Sequence, residues 1–188
     1  MENEPVKHEQ LHDSQTNKNI WYYAAKWYYK SALGRDEYSC NIAKYKDRDL
    51  NQYFWPNFKG TLEFAIKHQN EHFDYTASVP KVNGLYSPTL LSLQKRIEEE
   101  YKILPLHILK KKPGAKKQTD CKDAYERNQN AKQYAQIDEN ESISDSSFLL
   151  MDDVKTSGSH ILAYGSLLYQ RGARNVAAIT LGENYLSR

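Results

Sequence analysis

Hydrophobic and polar positions are spread unevenly along this chain. Residues 1–18 carry only Val6 and Leu11 as aliphatics beyond Met1. Such a stretch buries too little apolar surface to offset its ordering entropy, so it reads as a mobile polar tail. Residues 19–70 are dense in aromatics, from Trp21-Tyr22-Tyr23 and Trp27-Tyr28-Tyr29 to Tyr53-Phe54-Trp55. The aromatic triplet recurs after six residues, which fits neither a strand nor a helix cleanly. High β-propensity and a turn signal at residues 31–34 predict a hairpin over roughly 20–45. Leu62, Ala65 and Ile66 then keep a helical spacing toward Gln69.

Beyond His72 the pattern sharpens. Residues 73–79 form a short strand that ends in a Pro80-Lys81-Val82-Asn83-Gly84 loop. Ser87-Pro88 has the composition of a helix start, and Leu90, Leu91, Leu93 and Ile97 supply an apolar stripe. A further short strand is expected at 103–108, weakened by Pro105. Residues 109–141 are polar and lysine-rich, and read as a flexible basic loop. Phe148-Leu149-Leu150-Met151 is a strand buried on both faces that ends at Asp152-Asp153. A loop over 154–159, a helix over 160–170 stopped by Gly172, and a second buried strand over 176–181 follow. This βαβ order predicts an α/β fold, a mostly parallel central sheet flanked by helices. The division expected is a tail at 1–18, an aromatic N-terminal part at 19–70 and a core at 71–188.

Composition narrows the picture. With 26 basic and 24 acidic side chains, the net charge of +2 excludes a highly basic chromatin-type protein. The positive charge is local: Lys102 to Lys132 holds eight lysines and one arginine against three acids. No apolar run is long enough for a transmembrane helix, so no membrane association is expected. An apolar signal-peptide core is also missing near the start, and Cys40 and Cys121 make no disulfide framework, so a reducing, cytoplasmic setting is expected. His68 and His72 have the i, i+4 spacing of a helical ligand pair, but no third ligand accompanies them.

The chemistry concentrates in Asp152-Asp153-Val154-Lys155-Thr156-Ser157-Gly158-Ser159-His160. Two acids stand where a parallel strand ends, and a hydroxyl- and glycine-bearing turn runs into a helix. Open α/β sheets bind ligands at the carboxyl ends of strands. Helix-start amides with Thr156, Ser157 and Ser159 hydroxyls suit a phosphate. Asp152 and Asp153 suit the hydroxyls of a polyol. A phosphate beside a diol describes a phosphorylated ribose. The plainer alternative is a solvated acid pair next to a helix cap.

This segment resembles the phosphoribosyl pyrophosphate motif of type I phosphoribosyltransferases: an apolar strand, Asp-Asp, then a Thr-Thr-Gly-like turn. Within that fold the chain resembles the ComF-like branch. Glu126-Arg127-Asn128-Gln129-Asn130 is similar to its Glu-Arg-x-x-Asn segment, Gln118 to its upstream glutamine, and Lys44-Tyr45 to its early Lys-Tyr pair. Two departures stand out. His160 occupies a place usually held by Thr or Ser, and zinc-ribbon cysteines are missing from the first residues.

The resemblance implies a transferase of the pentosyl class that binds phosphoribosyl pyrophosphate and displaces pyrophosphate at the anomeric carbon. Asp152, Asp153, Arg127 and Lys112 would carry the chemistry. Val154, Lys155, Thr156, Ser157, Gly158, Ser159, His160, Pro80 and Lys81 would contact substrate. Mg2+ would arrive with the pyrophosphate rather than on protein ligands. Residues 19–70 would form a hood over an unspecified acceptor, and the mobile basic loop, with Lys110, Lys111, Lys112, Lys116 and Lys117, would close over pyrophosphate. Two other readings stay open. One is a non-catalytic ligand sensor whose 110–117 loop touches nucleic acid or protein; the other is a hydrolytic effector that depletes phosphoribosyl pyrophosphate. The aromatic face and an exposed sheet edge also suit a homodimer.

Overall fold

The computed structural model describes residues 5–29, 36–45, 48–117, 120–138 and 141–185. The turn at 31–34, Gln118 and the side chains of Lys44 and Tyr45 lie outside the described residues. In chain order the elements are β1 (Lys7–Asp13), β2 (Lys18–Tyr28), α1 (Glu37–Tyr45), α2 (Asn51–Gln69), β3 (Tyr75–Ser78), α3 (Pro88–Tyr101) and β4 (Leu104–Pro105). They continue as β5 (Leu109–Lys111), α4 (Ala124–Tyr134), β6 (Ala135–Ile137), β7 (Ser147–Lys155), α5 (Ser159–Gln170) and β8 (Asn175–Asn184). A six-stranded sheet runs β1-β2-β8-β7-β3-β4, and β5-β6 form a separate antiparallel pair. All neighbours in the large sheet are parallel except β1 with β2. The expected α/β class with a mostly parallel, helix-flanked sheet is what the chain adopts.

Both faces of the sheet are covered. On one, Phe148, Leu150, Val176 and Ala178 pack with Ile161, Tyr164 and Leu168 of α5 and with Ala131, Ala135 and Ile137. On the other, Leu149, Met151, Ala177 and Ile179 pack with Phe54, Phe58 and Leu62 of α2 and with Leu90, Leu93 and Ile97 of α3. Alternate residues of β7 and β8 therefore enter different cores, which explains their unbroken apolar runs. Gly165 lets α5 approach β2 closely, since a Cβ there would lie 2.2 Å from Ile20 Cδ1.

Three expectations about the first 70 residues are corrected. First, residues 7–13 are not a loose tail. They pair antiparallel with β2 over seven registered positions, and Leu11 packs against the core. The turn is held by Asp13, whose carboxylate accepts from the Gln15 amide at 3.1 Å and from the Thr16 hydroxyl. Second, the hairpin is β1–β2, not 20–45, and α1 follows instead of a return strand. Third, the aromatic segment is no separate hood. β2 lies inside the sheet beside β8, with Tyr22 buried in one core and Tyr23 in the other. The helix expected near Leu62 begins at Asn51 and contains Pro56. Its buried Phe54, Phe58, Leu62 and Ala65 keep one face throughout.

The basic stretch is also more ordered than expected. Within 109–141, β5 pairs with β6 and α4 lies between them. Leu109, Ala131, Ala135 and Ile137 are buried, so a few apolar side chains anchor a mostly charged segment. Pro105 is accommodated because β4 is an edge strand.

At the carboxyl ends of β7 and β8 the register sets Lys155 opposite Glu183. Both are buried, with Lys155 Nζ 3.1 Å from Glu183 Oε1. Glu9 of β1 approaches Lys155 at 3.0 Å, Lys7 approaches Glu183 at 3.2 Å, and the Tyr22 hydroxyl donates to Glu183 at 2.8 Å. Removing one partner of a buried pair strands the other charge, at about 3–5 kcal/mol. Lys155→Met is expected to lower stability toward the small end of that range, because Lys7 still reaches Glu183. Lys155→Met with Glu183→Met should recover most of the loss. Urea unfolding of the three proteins measures both.

Candidate functional site

The topology creates the site. From β3 the chain moves to β4 on one side, while β7 joins β3 on the other. Connections leaving in opposite directions open a crevice above the carboxyl ends of β3 and β7. A cavity of ≈ 560 Å³ occupies it. Its walls include the acid pair, residues 154–161, residues 79–83, and Lys111, Lys116 and Lys117. The opposite wall has Tyr28, Ile42, Ala43, Ser87, Leu90 and Asn184.

The acids sit inside β7, not after it. Asp152 is in register with Thr180, and pairing continues to Lys155. The connecting turn is accordingly 156–158, shorter than the loop expected from residue 154. Asp152 Oδ1 accepts from the Asp153 amide and Asp153 Oδ1 from the Val154 amide, each at 2.8 Å. These local bonds aim both carboxyls along the strand end. Burial, reinforced by the charge of Asp153, raises the Asp152 carboxyl well above the usual carboxylate range. The pair presents two carboxyl groups to one ligand at the strand end.

The turn after β7 begins α5. Gly158 caps the helix at φ 74°, and its carbonyl accepts from the Leu162 amide at 2.9 Å. A Cβ at Gly158 would lie 3.3 Å from Lys155 Cε and 3.4 Å from Leu11 Cδ1, so backbone angle and space both favour glycine. Ser157 and Ser159 hydroxyls lie 2.7 Å apart. The first-turn amides of α5 have no acceptor within the helix and point their partial positive charge at the cavity edge. Across the cavity, the Lys81 carbonyl accepts from the Gly84 amide at 2.9 Å, closing the turn after β3.

His160 is drawn toward a lysine. Lys111 Nζ donates to its Nε2 at 3.0 Å. Burial, followed by the Lys111 charge, holds the imidazole down to about 3, and burial also lowers the Lys111 ammonium.

Among the residues expected at the site, Asp152, Asp153, Val154, Lys155, Thr156, Ser157, Gly158, Ser159, His160, Pro80 and Lys81 all border the cavity. Lys155 does so with its ammonium committed to Glu183 and Glu9. Lys112 and Arg127 are not brought to it. Lys112 lies just past β5, its amide donating to the Tyr134 carbonyl, and Arg127 is on α4. Arg127 Nε is buried without a hydrogen-bond partner. Lys116 borders the cavity but pairs with Glu126 at 2.8 Å. On the opposite wall, Tyr28, Ile42 and Ala43 fall within the 19–70 segment expected to cover the acceptor, while the sequence marks Ser87 and Leu90 only as parts of a helix and does not single out Asn184.

These shifts make stability depend on pH in opposite ways. The folded protein holds the Asp152 proton to higher pH than the unfolded chain, which releases it above about 3.8, so this group costs stability as pH rises past that point. Asp152→Asn should raise the thermal midpoint at pH 7, each kcal/mol appearing as roughly 2–4 °C, with the gain fading below pH ~4. His160 behaves inversely. The unfolded chain takes up its proton below 6.5 while the fold refuses it to about 3, so stability falls on acidification across that window. His160→Gln should flatten this limb in a midpoint-against-pH series. No protein-family model matches this chain, and no curated protein matches it either, so its function is read from the cavity.

Proposed function

We propose that this protein is a phosphoribosyltransferase-like enzyme that binds phosphoribosyl pyrophosphate with Mg2+ and displaces pyrophosphate at the anomeric carbon. One observation carries the reading: an acid pair, a hydroxyl-rich helix start and several lysines surround a single cavity at the sheet's switch point. The volume of ≈ 560 Å³ suits a small phosphorylated ligand. The resemblance of residues 148–160 to the phosphoribosyl pyrophosphate motif supports the same chemistry.

In this mechanism the turn at 156–160 binds the 5-phosphate through helix-start amides and the Thr156, Ser157 and Ser159 hydroxyls. Asp152 and Asp153 bind the ribose hydroxyls, one carboxyl donating and the other accepting. Lys81 and Lys117, which border the cavity, are assigned to the pyrophosphate side. As the anomeric C–O bond breaks, its electron pair leaves with pyrophosphate and the ribose gains oxocarbenium character. Lysine charge offsets the developing negative charge on the leaving group. The nucleophile, a nitrogen base, an amine or water, supplies the pair that closes the new bond and then loses a proton. Among the described residues no three His, Cys, Asp or Glu side chains gather to hold a metal. In this reading Mg2+ would enter with the substrate, held through pyrophosphate oxygens and water.

Calorimetric titration of phosphoribosyl pyrophosphate with Mg2+, followed by a pyrophosphate-release assay on the same sample, tests this. Binding with release, weakened at least about tenfold by Asp152→Asn with Asp153→Asn, is the expected result. Binding without release, across bases, amines and water as acceptors, replaces the enzyme with a ligand sensor. No binding overturns the reading.

A further inference from the structure

We infer that His160 is a positioning residue that holds the Lys111 ammonium as the cation for the ligand's phosphomonoester, rather than touching the phosphate itself. The inference rests on the proposed function and assigns Lys111 to the 5-phosphate instead of the leaving pyrophosphate.

Three lysines that border the cavity differ in what they face. Lys155 is held by Glu183 and Glu9, and Lys116 by Glu126. A carboxylate partner offsets a lysine's charge, leaving little for an anion. Lys111 instead donates to the imidazole Nε2 of His160 at 3.0 Å. To accept that hydrogen the imidazole must be neutral at Nε2, in keeping with its resistance to protonation. A neutral acceptor fixes the ammonium in space and leaves its positive charge in place. It also uses one of three N–H donors, so two remain for phosphate oxygens.

The backbone beneath Lys111 is fixed from two directions. Lys111 is registered with Ala135 in the β5–β6 pair. The Tyr164 hydroxyl of α5 donates to the Lys110 carbonyl at 2.8 Å, and the Tyr86 hydroxyl donates to the Leu109 carbonyl at 2.5 Å. Leu109 itself is fully buried. Lys111 is therefore presented from a strand, not from a closing loop. Its side chain reaches the first turn of α5, where helix amides and the Ser159 hydroxyl meet the same cavity. Ammonium and helix start converge on one anion, a geometry that suits a dianionic phosphomonoester.

Ribose 5-phosphate and inorganic pyrophosphate are the probes, each titrated calorimetrically into the full-length protein beside phosphoribosyl pyrophosphate. Lys111→Met should weaken ribose 5-phosphate about 10–100-fold and change pyrophosphate much less. His160→Leu should weaken ribose 5-phosphate in the native background and add nothing in the Lys111→Met background. His160→Gln, whose amide oxygen can accept from Lys111, should restore most of the affinity. An unchanged thermal midpoint of the Gln variant above pH 7, outside the acid limb where His160 titrates, separates positioning from folding. Additive losses in the double variant mean that His160 meets the phosphate directly, and they overturn the inference while the proposed function stands. An equal loss for pyrophosphate overturns it as well. A native protein that binds neither phosphoribosyl pyrophosphate nor ribose 5-phosphate removes both readings together.

Discussion

The buried ion pair between Lys155 and Glu183 ties the sheet to the site. It joins neighbouring parallel strands at the point where their backbone pairing ends. Two charges taken out of water carry a heavy desolvation penalty, which only close and complete partnering offsets. Here the partners come from four strands: Lys155 on β7, Glu183 on β8, Tyr22 on β2, and Lys7 and Glu9 on β1. The Lys155 ammonium also lies 4.9 Å from the Tyr22 ring centroid. Directly above, the Gly158 turn rests on the Lys155 stem and Leu11. The shape of the turn at 156–158 thus depends on an electrostatic knot beneath it, and that knot needs β1.

This dependence accounts for what the sequence reveals and what it hides. The β7–α5–β8 unit was legible because burial on both faces leaves continuous apolar runs, and because acids and glycine punctuate them. The site residues within it were legible for the same reason. β1 was hidden because its stability comes from backbone pairing and ion pairs, neither of which leaves a hydrophobic pattern. Only Leu11 reaches the core from its middle. β2 was misread because its Tyr22 and Tyr23 serve opposite cores, so one aromatic cluster looked like one surface. Pro56 masked the first half of α2, although Phe54, Phe58, Leu62 and Ala65 keep a helical period across it. Residues 109–138 looked like a charge run because a handful of small or aliphatic side chains suffices to anchor them on α5.

Position in the sequence also misjudged the basic residues. Lysines adjacent along the chain diverge in space once a strand forms. Lys111 lines the cavity, while Lys112, past the strand, and Arg127, on α4, do not. A count of local charge predicts a positive region, but only the β5–β6 register selects which cation is presented. The partner of each cation then decides how much of its charge is available, and the three cavity lysines compared above span that range.

The place of β2 has a consequence for how the molecule assembles. Residues 18–28 lie between β1 and β8 in the sheet, yet residues 175–184 emerge from a ribosome some 150 positions later. Until they do, the β1–β2 hairpin has an open edge and uncovered aromatic faces. Closing such a distant pairing carries a large loop entropy, so the central seam of the sheet belongs among the late, slow contacts. The ion-pair knot completes only when Glu183 arrives, so the turn at 156–158 gains its support at the end of folding. Until that pairing forms, the edge of β2 that β8 covers is open, and an unpaired strand edge is a template for wrong pairing.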